Sequence, residues 1–182
     1  MADKKISDFT AVTAVADADL LEIETAAGNS RKVSRANLFA FRGALVKKAA
    51  DQIGANYSTA AALAWDAEAY DTNAFHDNVT NNTRLTVPTG VTRARLWGHV
   101  RIINLVASEF ALLSIFKNGI IDYDGSAVMA SEINTTSQEI TVSSPVLSVA
   151  ALDYFELFLR VASDTAIDVI ATRSSFAIEA VA

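Results

Sequence analysis

The 182-residue sequence contains no cysteine, which excludes disulfide bonds, thiolate metal sites and thiol nucleophiles. Only two histidines are present, so few imidazoles are available for a metal site or a catalytic triad. No apolar run approaches the roughly 18 residues that a membrane-spanning helix needs. The first residues, MADKKISDF, also lack the apolar core of a signal peptide. The sequence therefore predicts a chain without cysteine chemistry and without membrane insertion.

Positive charge is scarce over most of the chain. The formal net charge is −6, and residues 1–42 contain equal numbers of basic and acidic groups, so the negative excess lies in residues 43–182. Such a surface repels a phosphate backbone, and only one short segment combines basic and aromatic residues. We therefore expect no direct binding to nucleic acid.

The first 42 residues are patterned differently from the rest. Residues 19–25 and 30–33 alternate as two strands joined by a turn that contains Gly28 and Asn29. Ser34 is a candidate N-cap for a short helix over residues 35–41, which Gly43 would end. A hairpin and a helical turn cannot bury a core by themselves. We expect residues 1–42 to dock on something else and residues 43–182 to form a separate domain.

From residue 43 onward the apolar patterns predict strands almost exclusively. The candidate strands cover residues 44–49, 61–67, 84–87, 92–104, 111–117, 139–142, 153–161, 167–171 and 175–181. Turn residues separate them at 51–56, 77–82, 88–90, 118–119 and 143–145. Short strands at this spacing, without a helical period, predict an all-β antiparallel sandwich or jelly roll.

The segment RARLWGHVRII, residues 93–103, contains the most informative pattern. With a period of two, one face carries the apolar residues and glycine and should point into the sandwich: Ala94, Leu96, Gly98, Val100 and Ile102. The other face carries Arg93, Arg95, Trp97, His99 and Arg101. This outward face is interpreted as a subunit contact, a ligand platform or an ordinary exposed surface. Tryptophan and arginine are enriched at interfaces, which favours the first interpretation.

A second strand, residues 153–161, shows the same kind of alternation. Its inward face carries Phe155, Leu157, Leu159 and Val161, and its outward face carries Glu156, Phe158 and Arg160. Phe158, between opposite charges, is a second candidate contact residue. Further inward pairs are predicted on other strands, namely Leu113 with Ile115, Leu147 with Val149, and Phe176 with Ile178.

Few residues suggest chemistry. Asp122 and Asp124 lie beside Gly125 as in a fragment of a calcium loop, but the distal glutamate is absent, which favours a solvated acidic turn. His76 precedes Asp77, yet the sequence offers it no defined nucleophile. Acidic pairs such as Asp66 and Glu68 are common on acidic surfaces. We expect neither enzymatic activity nor a cofactor.

Several segments in order resemble a known superfamily. They are AALAWDAEAYDT (61–72), LTVPTGV (85–91), FKNG (116–119), SPVLSVAALDYFE (144–156) and FAIE (176–179). Together they resemble the trimeric jelly rolls of tumour necrosis factor and the globular heads of complement, in the version common in bacteriophage structural proteins. The resemblance implies a homotrimer with Arg95, Trp97, His99, Arg101 and Phe158 in subunit contacts. Leu152 stands where this family usually has a glycine, which predicts a turn of different form.

Residues 5–38 are similar to the N-terminal segments of phage tail fibres, tailspikes and other virion appendages. There a lysine-initiated arm, a DxLxIxx strand, an xRKVxxxxL strand and a short helix dock on the particle. The resemblance implies docking on capsid or tail proteins through Leu21, Ile23, Val33, Leu38 and Phe39.

Together the two resemblances imply a structural virion protein on the phage particle surface, assembled in the host cytoplasm. It would be a short trimeric tail or head fibre whose jelly-roll knob recognises a glycan or protein of the host surface. The alternative is a capsid decoration (cement) protein or a tail adaptor that binds only other virion proteins. A glycan-degrading appendage is a third interpretation, for which the chain is short.

Overall fold

The computed structural model describes residues 20–24, 30–34, 41–106, 110–120, 127–129, 136–162 and 166–181. The chain divides into two units, Met1–Ala40 and Phe41–Ala182. Within the described ranges, no helix has the length and apolar character needed to cross a membrane.

The first unit contains the predicted hairpin. Strands β1 (Leu20–Glu24) and β2 (Ser30–Ser34) pair antiparallel. Leu21 is opposite Val33, and Ile23 is opposite Arg31. Because directly opposite residues share a face of a two-stranded sheet, three of the predicted docking residues occupy positions on one face. Leu38 and Phe39, and all of the predicted helix except Phe41, lie outside the described residues.

The second unit is built from short strands. Their bounds are β3 (Gly43–Lys47), β4 (Gln52–Ala55), β5 (Ala61–Ala62), β6 (Ala67–Asp71), β7 (Arg84–Thr86), β8 (Arg93–Ile103), β9 (Ala111–Lys117), β10 (Ala127–Met129), β11 (Ser137–Ser143), β12 (Leu147–Ser148), β13 (Tyr154–Val161), β14 (Ile167–Val169) and β15 (Ser175–Ala180). A single 3-10 turn in the described part of the chain, Ala171–Arg173, connects β14 to β15.

These strands form two antiparallel sheets. The large sheet has the order β4-β14-β8-β15-β3-β6, with β11 and β12 also paired to β8. The small sheet has the order β10-β9-β13-β5, with β7 also paired to β13. Strand β8, eleven residues long, pairs with β11, β12, β14 and β15 and is the central strand of the large sheet. Strand β13 pairs with β5, β7 and β9 and is the central strand of the small sheet. The predicted all-β antiparallel architecture is confirmed.

The core lies between the sheets and follows the predicted alternation. On β8 the inward residues Ala94, Leu96, Val100 and Ile102 are fully buried. Gly98 completes this face, and a Cβ atom there would lie 2.7 Å from both methyl carbons of Leu157 on β13. The Leu157 side chain fills the space beside Gly98, so a larger residue at this position would require Leu157 to move.

The other predicted core positions are also inside. Buried residues include Phe155, Leu157, Leu159, Val161, Leu113, Ile115, Phe176, Ile178 and Val149, while Leu147 packs against the core in a half-buried position. The core also takes Trp65 and Phe75, both fully buried, which the sequence pattern did not identify as core residues. Burial of 30 or so apolar side chains drives the folding of this unit.

Strand β4 departs from the prediction of a turn over residues 51–56. It pairs with β14 along one side, and the register shifts between the Ile167 and Val169 positions. Gly54 in its middle has φ +68°, a conformation that favours glycine. The strand is thus interrupted by an irregularity, which explains why its sequence resembles a turn.

The turn before β13 contains Leu152 at φ +72°, in the left-handed region that favours glycine. Its N–H donates to the Val87 carbonyl (2.9 Å), and the Asp153 N–H donates to the Ala150 carbonyl (3.1 Å). The Asp153 carboxylate also accepts the Ala150 N–H at 2.9 Å. Leu152 therefore holds a backbone conformation suited to glycine, and the turn is strained at this residue.

Candidate interaction surface

The outer face of the large sheet carries four of the five predicted contact residues. Burial alternates along β8, so that Arg95 and Trp97 are exposed and His99 and Arg101 are half-exposed. Trp97 keeps 37% of its surface exposed. The period-two interpretation of this strand is confirmed, and the strand places these side chains together on one surface.

Apolar side chains continue from Trp97 across three further strands. The register pairs Trp97 with Ala177, Ala177 with Leu45, and Leu45 with Tyr70. The Phe41 ring meets Tyr70 edge-on with centroids 5.5 Å apart. Tyr70 and Phe41 are 39% and 48% exposed. Leu45 is half-buried and Ala177 is buried. We call these five residues the apolar row; exposed apolar side chains that lie together, as Trp97, Tyr70 and Phe41 do here, mark contacts with other macromolecules.

A shallow depression flanks Trp97 at one end of the apolar row. Its volume is about 580 Å³, and its walls include Ser143, Val146 and Glu179. The Arg95 guanidinium pairs with the Glu179 carboxylate at 2.8 Å. A tryptophan beside an exposed valine and a surface ion pair gives an apolar centre with a polar rim, the usual anatomy of a protein interface.

The charged end of the same face is centred on Glu139. Its carboxylate lies 3.0 Å from the Arg173 guanidinium, 3.7 Å from His99 Nε2 and 4.0 Å from the Arg101 guanidinium. His99 Nδ1 is also 2.9 Å from the Thr141 hydroxyl. Because these side chains are partly exposed, their ion pairs contribute little to stability, and the cations stay available to a ligand or partner.

Phe158 lies elsewhere. It belongs to β13 of the small sheet, where its ring stacks on Phe116 with centroids 3.9 Å apart. The five predicted contact residues therefore occupy two different sheets.

Glu156, predicted to point outward, is only 8% exposed. Its carboxylate accepts hydrogen bonds from the Thr83 hydroxyl (2.6 Å) and Arg84 Nε (3.4 Å).

His76 lies in the connection between β6 and β7, where its side chain makes structural contacts. Its buried ring lies between Glu68 Oε1, 2.9 Å from Nδ1, and the Asn82 carbonyl, 3.3 Å from Nε2. The carboxylate beside it is therefore that of Glu68. Asp77 instead accepts the N–H groups of Thr80 and Val79, which hold its pKa below the ordinary value.

The remaining chemical candidates do not form a site among the described residues. The Asp66 carboxylate accepts the Ala49 N–H at 2.6 Å, while Glu68 contacts His76, so the two acids have different partners. Asp122 and Asp124 lie outside the described residues. The geometry of this unit favours an interaction surface on the large sheet.

Comparison with known proteins supports the fold. No protein-family model matches the sequence, and no curated protein matches it. Two crystal structures of murine APRIL, at pH 8.0 and pH 5.0, superimpose with TM-scores of 0.51 and 0.55. Their sequence identities are 7% and 8%, and each alignment covers 78% of this chain and 99% of that chain. The second unit therefore has the jelly-roll fold that the sequence predicted.

Proposed function

We propose that this protein is a homotrimeric structural component of a bacteriophage particle. Residues 1–42 dock on other virion proteins, and the jelly roll forms a knob that recognises the host surface. The proposal is supported by the similarity of residues 5–38 to virion docking segments and by the jelly-roll fold. The observation that carries self-association is the apolar row on the large sheet, of which Trp97, Tyr70 and Phe41 are exposed.

The apolar row suits a contact between subunits. Trp97 lies at one end of the row beside the Arg95–Glu179 pair, and tryptophan is among the residues that contribute most to binding energy. A closed ring of three subunits repeats one contact three times, so a moderate contact area gives a stable assembly. Three copies of a weak recognition site would then bind a surface with high avidity.

Docking through the first unit follows from its small size. A two-stranded hairpin is marginal in water unless its apolar face is covered. Positions Leu21, Ile23 and Val33 share one face of the hairpin by register, and Leu38 and Phe39 follow in the sequence. A virion protein that covers this face would stabilise the hairpin and attach the knob to the particle.

We propose binding without catalysis, at the particle surface. Among the described catalytic candidates, His76 contacts Glu68 and the Asn82 carbonyl, and the Asp66 carboxylate accepts the Ala49 N–H. The apolar row and the charged end beside it form a recognition surface that needs no cofactor.

The trimer contact is tested with Trp97→Glu. We expect the wild-type protein to sediment as a trimer at micromolar concentration and the variant as a β-rich monomer. Loss of a large aromatic contact costs about 2 kcal/mol or more, and the ring loses it three times. Ile120→Glu is the matched control, because Ile120 is exposed at the end of the small sheet and should leave the trimer intact. A monomeric wild type would refute the trimer, and a trimeric Trp97→Glu variant would exclude the apolar row as its contact.

The docking role is tested by removing residues 1–40. The cut is placed before Phe41 because the Arg42 side chain donates to Asn73 Oδ1 (3.2 Å) and to the Thr89 and Gly90 carbonyls (3.3 Å each). We expect the shortened chain to remain a folded trimer that no longer adds to particles lacking the protein. The full chain is the control in the same incorporation assay. Equal incorporation would place docking in the jelly roll, and loss of trimerisation would place residues 1–40 in the subunit contact.

A further inference from the structure

A second pocket opens on the large sheet beside the apolar row, two residues further along the strands. It has a volume of about 370 Å³ and is lined by Leu45, Lys47, His99, Thr172, Arg173, Ser174 and Ser175. The register explains its composition, because His99 is opposite Ser175 and Ser175 is opposite Lys47. Three neighbouring strands thus bring an imidazole, a hydroxyl and an ammonium group into line, and the 3-10 turn adds Arg173 beside them.

The pocket carries more positive than negative charge. Arg173, His99 and Arg101 all lie within 4.0 Å of one carboxylate, that of Glu139. Lys47 takes part in none of these ion pairs among the described residues, and its side chain is exposed. Lys47 and Arg173 line the pocket and no carboxylate does, and the Glu139 carboxylate beside it is shared between Arg173 and Arg101. A local positive excess in a chain of net charge −6 is the feature that singles out this pocket.

Hydroxyl groups complete the lining. Thr172, Ser174 and Ser175 are among the residues that line the pocket. Ser174 Oγ accepts the Arg101 backbone N–H at 3.2 Å, and a hydroxyl that accepts one hydrogen bond can still donate its own proton. Arginine and lysine with several hydroxyl donors form a set that matches the oxygens of a carboxylate, sulfate or phosphate group.

We propose that this pocket binds the oxyanion group of a polar ligand. The lining offers cations and hydroxyls to such a group, with Leu45 as its only large apolar residue. The Glu139 carboxylate keeps the Arg173 guanidinium in place at 3.0 Å, so the site is partly formed before the ligand arrives. The inference rests on the pocket alone and does not require the virion role or the trimer.

The test is calorimetric titration of the full-length protein with inorganic phosphate, sodium sulfate and glucuronate, each at constant ionic strength set with chloride. Glucose serves as the neutral control for glucuronate. We expect saturable binding of at least one oxyanion and none of glucose. Binding of glucuronate alone would identify a carboxylate site, and binding of phosphate or sulfate would identify a tetrahedral-anion site; both outcomes support the proposal.

Two variants connect the binding to the pocket. Lys47→Gln and Arg173→Gln should each weaken binding about fivefold or more, as expected for loss of a charged hydrogen-bond donor. Arg160→Gln removes the same charge from an exposed position on the small sheet and should leave the affinity unchanged. The proposal is overturned if no oxyanion saturates above the chloride background, or if Arg160→Gln weakens binding as much as the pocket variants.

Sedimentation of the same samples separates this proposal from the assembly proposal. A trimer that binds no oxyanion overturns the pocket and leaves the trimer standing. A monomer that binds oxyanions in a Lys47-dependent manner supports the pocket and contradicts the trimer.

Discussion

Replacing Leu152 with glycine should stabilise the protein. Leu152 has φ +72° in the turn before β13, and its side chain is 80% exposed. The left-handed conformation costs an L-residue roughly 1–2 kcal/mol, because its Cβ crowds the neighbouring carbonyl. Leu152→Gly removes that strain and exposes almost no new apolar surface.

An effect on the unfolded state offsets part of this gain in stability. Glycine gives the unfolded chain more conformational freedom than leucine does, and the loss of that freedom on folding costs about 0.4–1 kcal/mol. The free energy of unfolding should therefore rise by about 0.5–1 kcal/mol, the difference between the two effects. The hydrogen bond from the residue 152 N–H to the Val87 carbonyl uses only backbone atoms and is kept.

Urea unfolding followed by circular dichroism measures this change, at one fixed protein concentration because self-association shifts apparent stability. Leu152→Ala is the matched control, since alanine removes the side chain but keeps a Cβ atom. We expect the alanine variant to stay within about 0.5 kcal/mol of the wild type. If Leu152→Gly is no more stable than Leu152→Ala, the turn is not strained at this residue.

Two further predictions concern packing and pH. Gly98→Ala should lower the free energy of unfolding by about 1–3 kcal/mol, because its Cβ would lie 2.7 Å from two carbons of Leu157; a variant as stable as wild type in urea would contradict the close approach. Burial opposes ionisation of Asp153, but hydrogen bonds from Asn118, Lys117 and the Ala150 N–H outweigh it and hold its pKa below the ordinary 3.8. The stabilisation is therefore present above pH 3.8 and lost as pH falls through the lower folded-state pKa. The stability difference between wild type and Asp153→Asn should shrink over that acid range, and a constant difference would refute the assignment.

The strand pattern was predictable where one face of a strand meets the core and the other meets solvent. β8 and β13 satisfy this condition, so their inward residues follow from a period of two. β4 does not, because it is a short and irregular edge strand without a buried residue. Its glycine and flanking polar residues are equally typical of a turn.

The candidate surface was only partly predictable. Trp97 stood out because a large aromatic among arginines is unusual on an outward face. Leu45 and Tyr70 join it only through the pairing of β8, β15, β3 and β6, and pairing between distant segments is not encoded in local pattern. The separation of Phe158 from Trp97 has the same cause, since an outward position can belong to either sheet.

Side-chain partners were the least predictable feature. The buried His76 ring contacts Glu68, eight residues away, although Asp77 is adjacent in sequence. Lys48 is only 9% exposed, and burial lowers its pKa despite the opposing effect of Asp66. Its ammonium donates to Gln52 Oε1 (2.8 Å) and the Ala64 carbonyl (2.9 Å). Such contacts depend on how loops fold over the strands.

The irregular strand β4 bears on how copies of this protein can join. It lies at one end of the large sheet, where Ile53 is 69% exposed, and a regular strand there would invite another chain to add to it. The positive φ of Gly54 and the shifted register break the even spacing of its N–H and C=O groups. Growth by strand addition at this edge, which has no natural end, is thereby disfavoured. Contacts through the face of the sheet remain, and these can close into assemblies of fixed size.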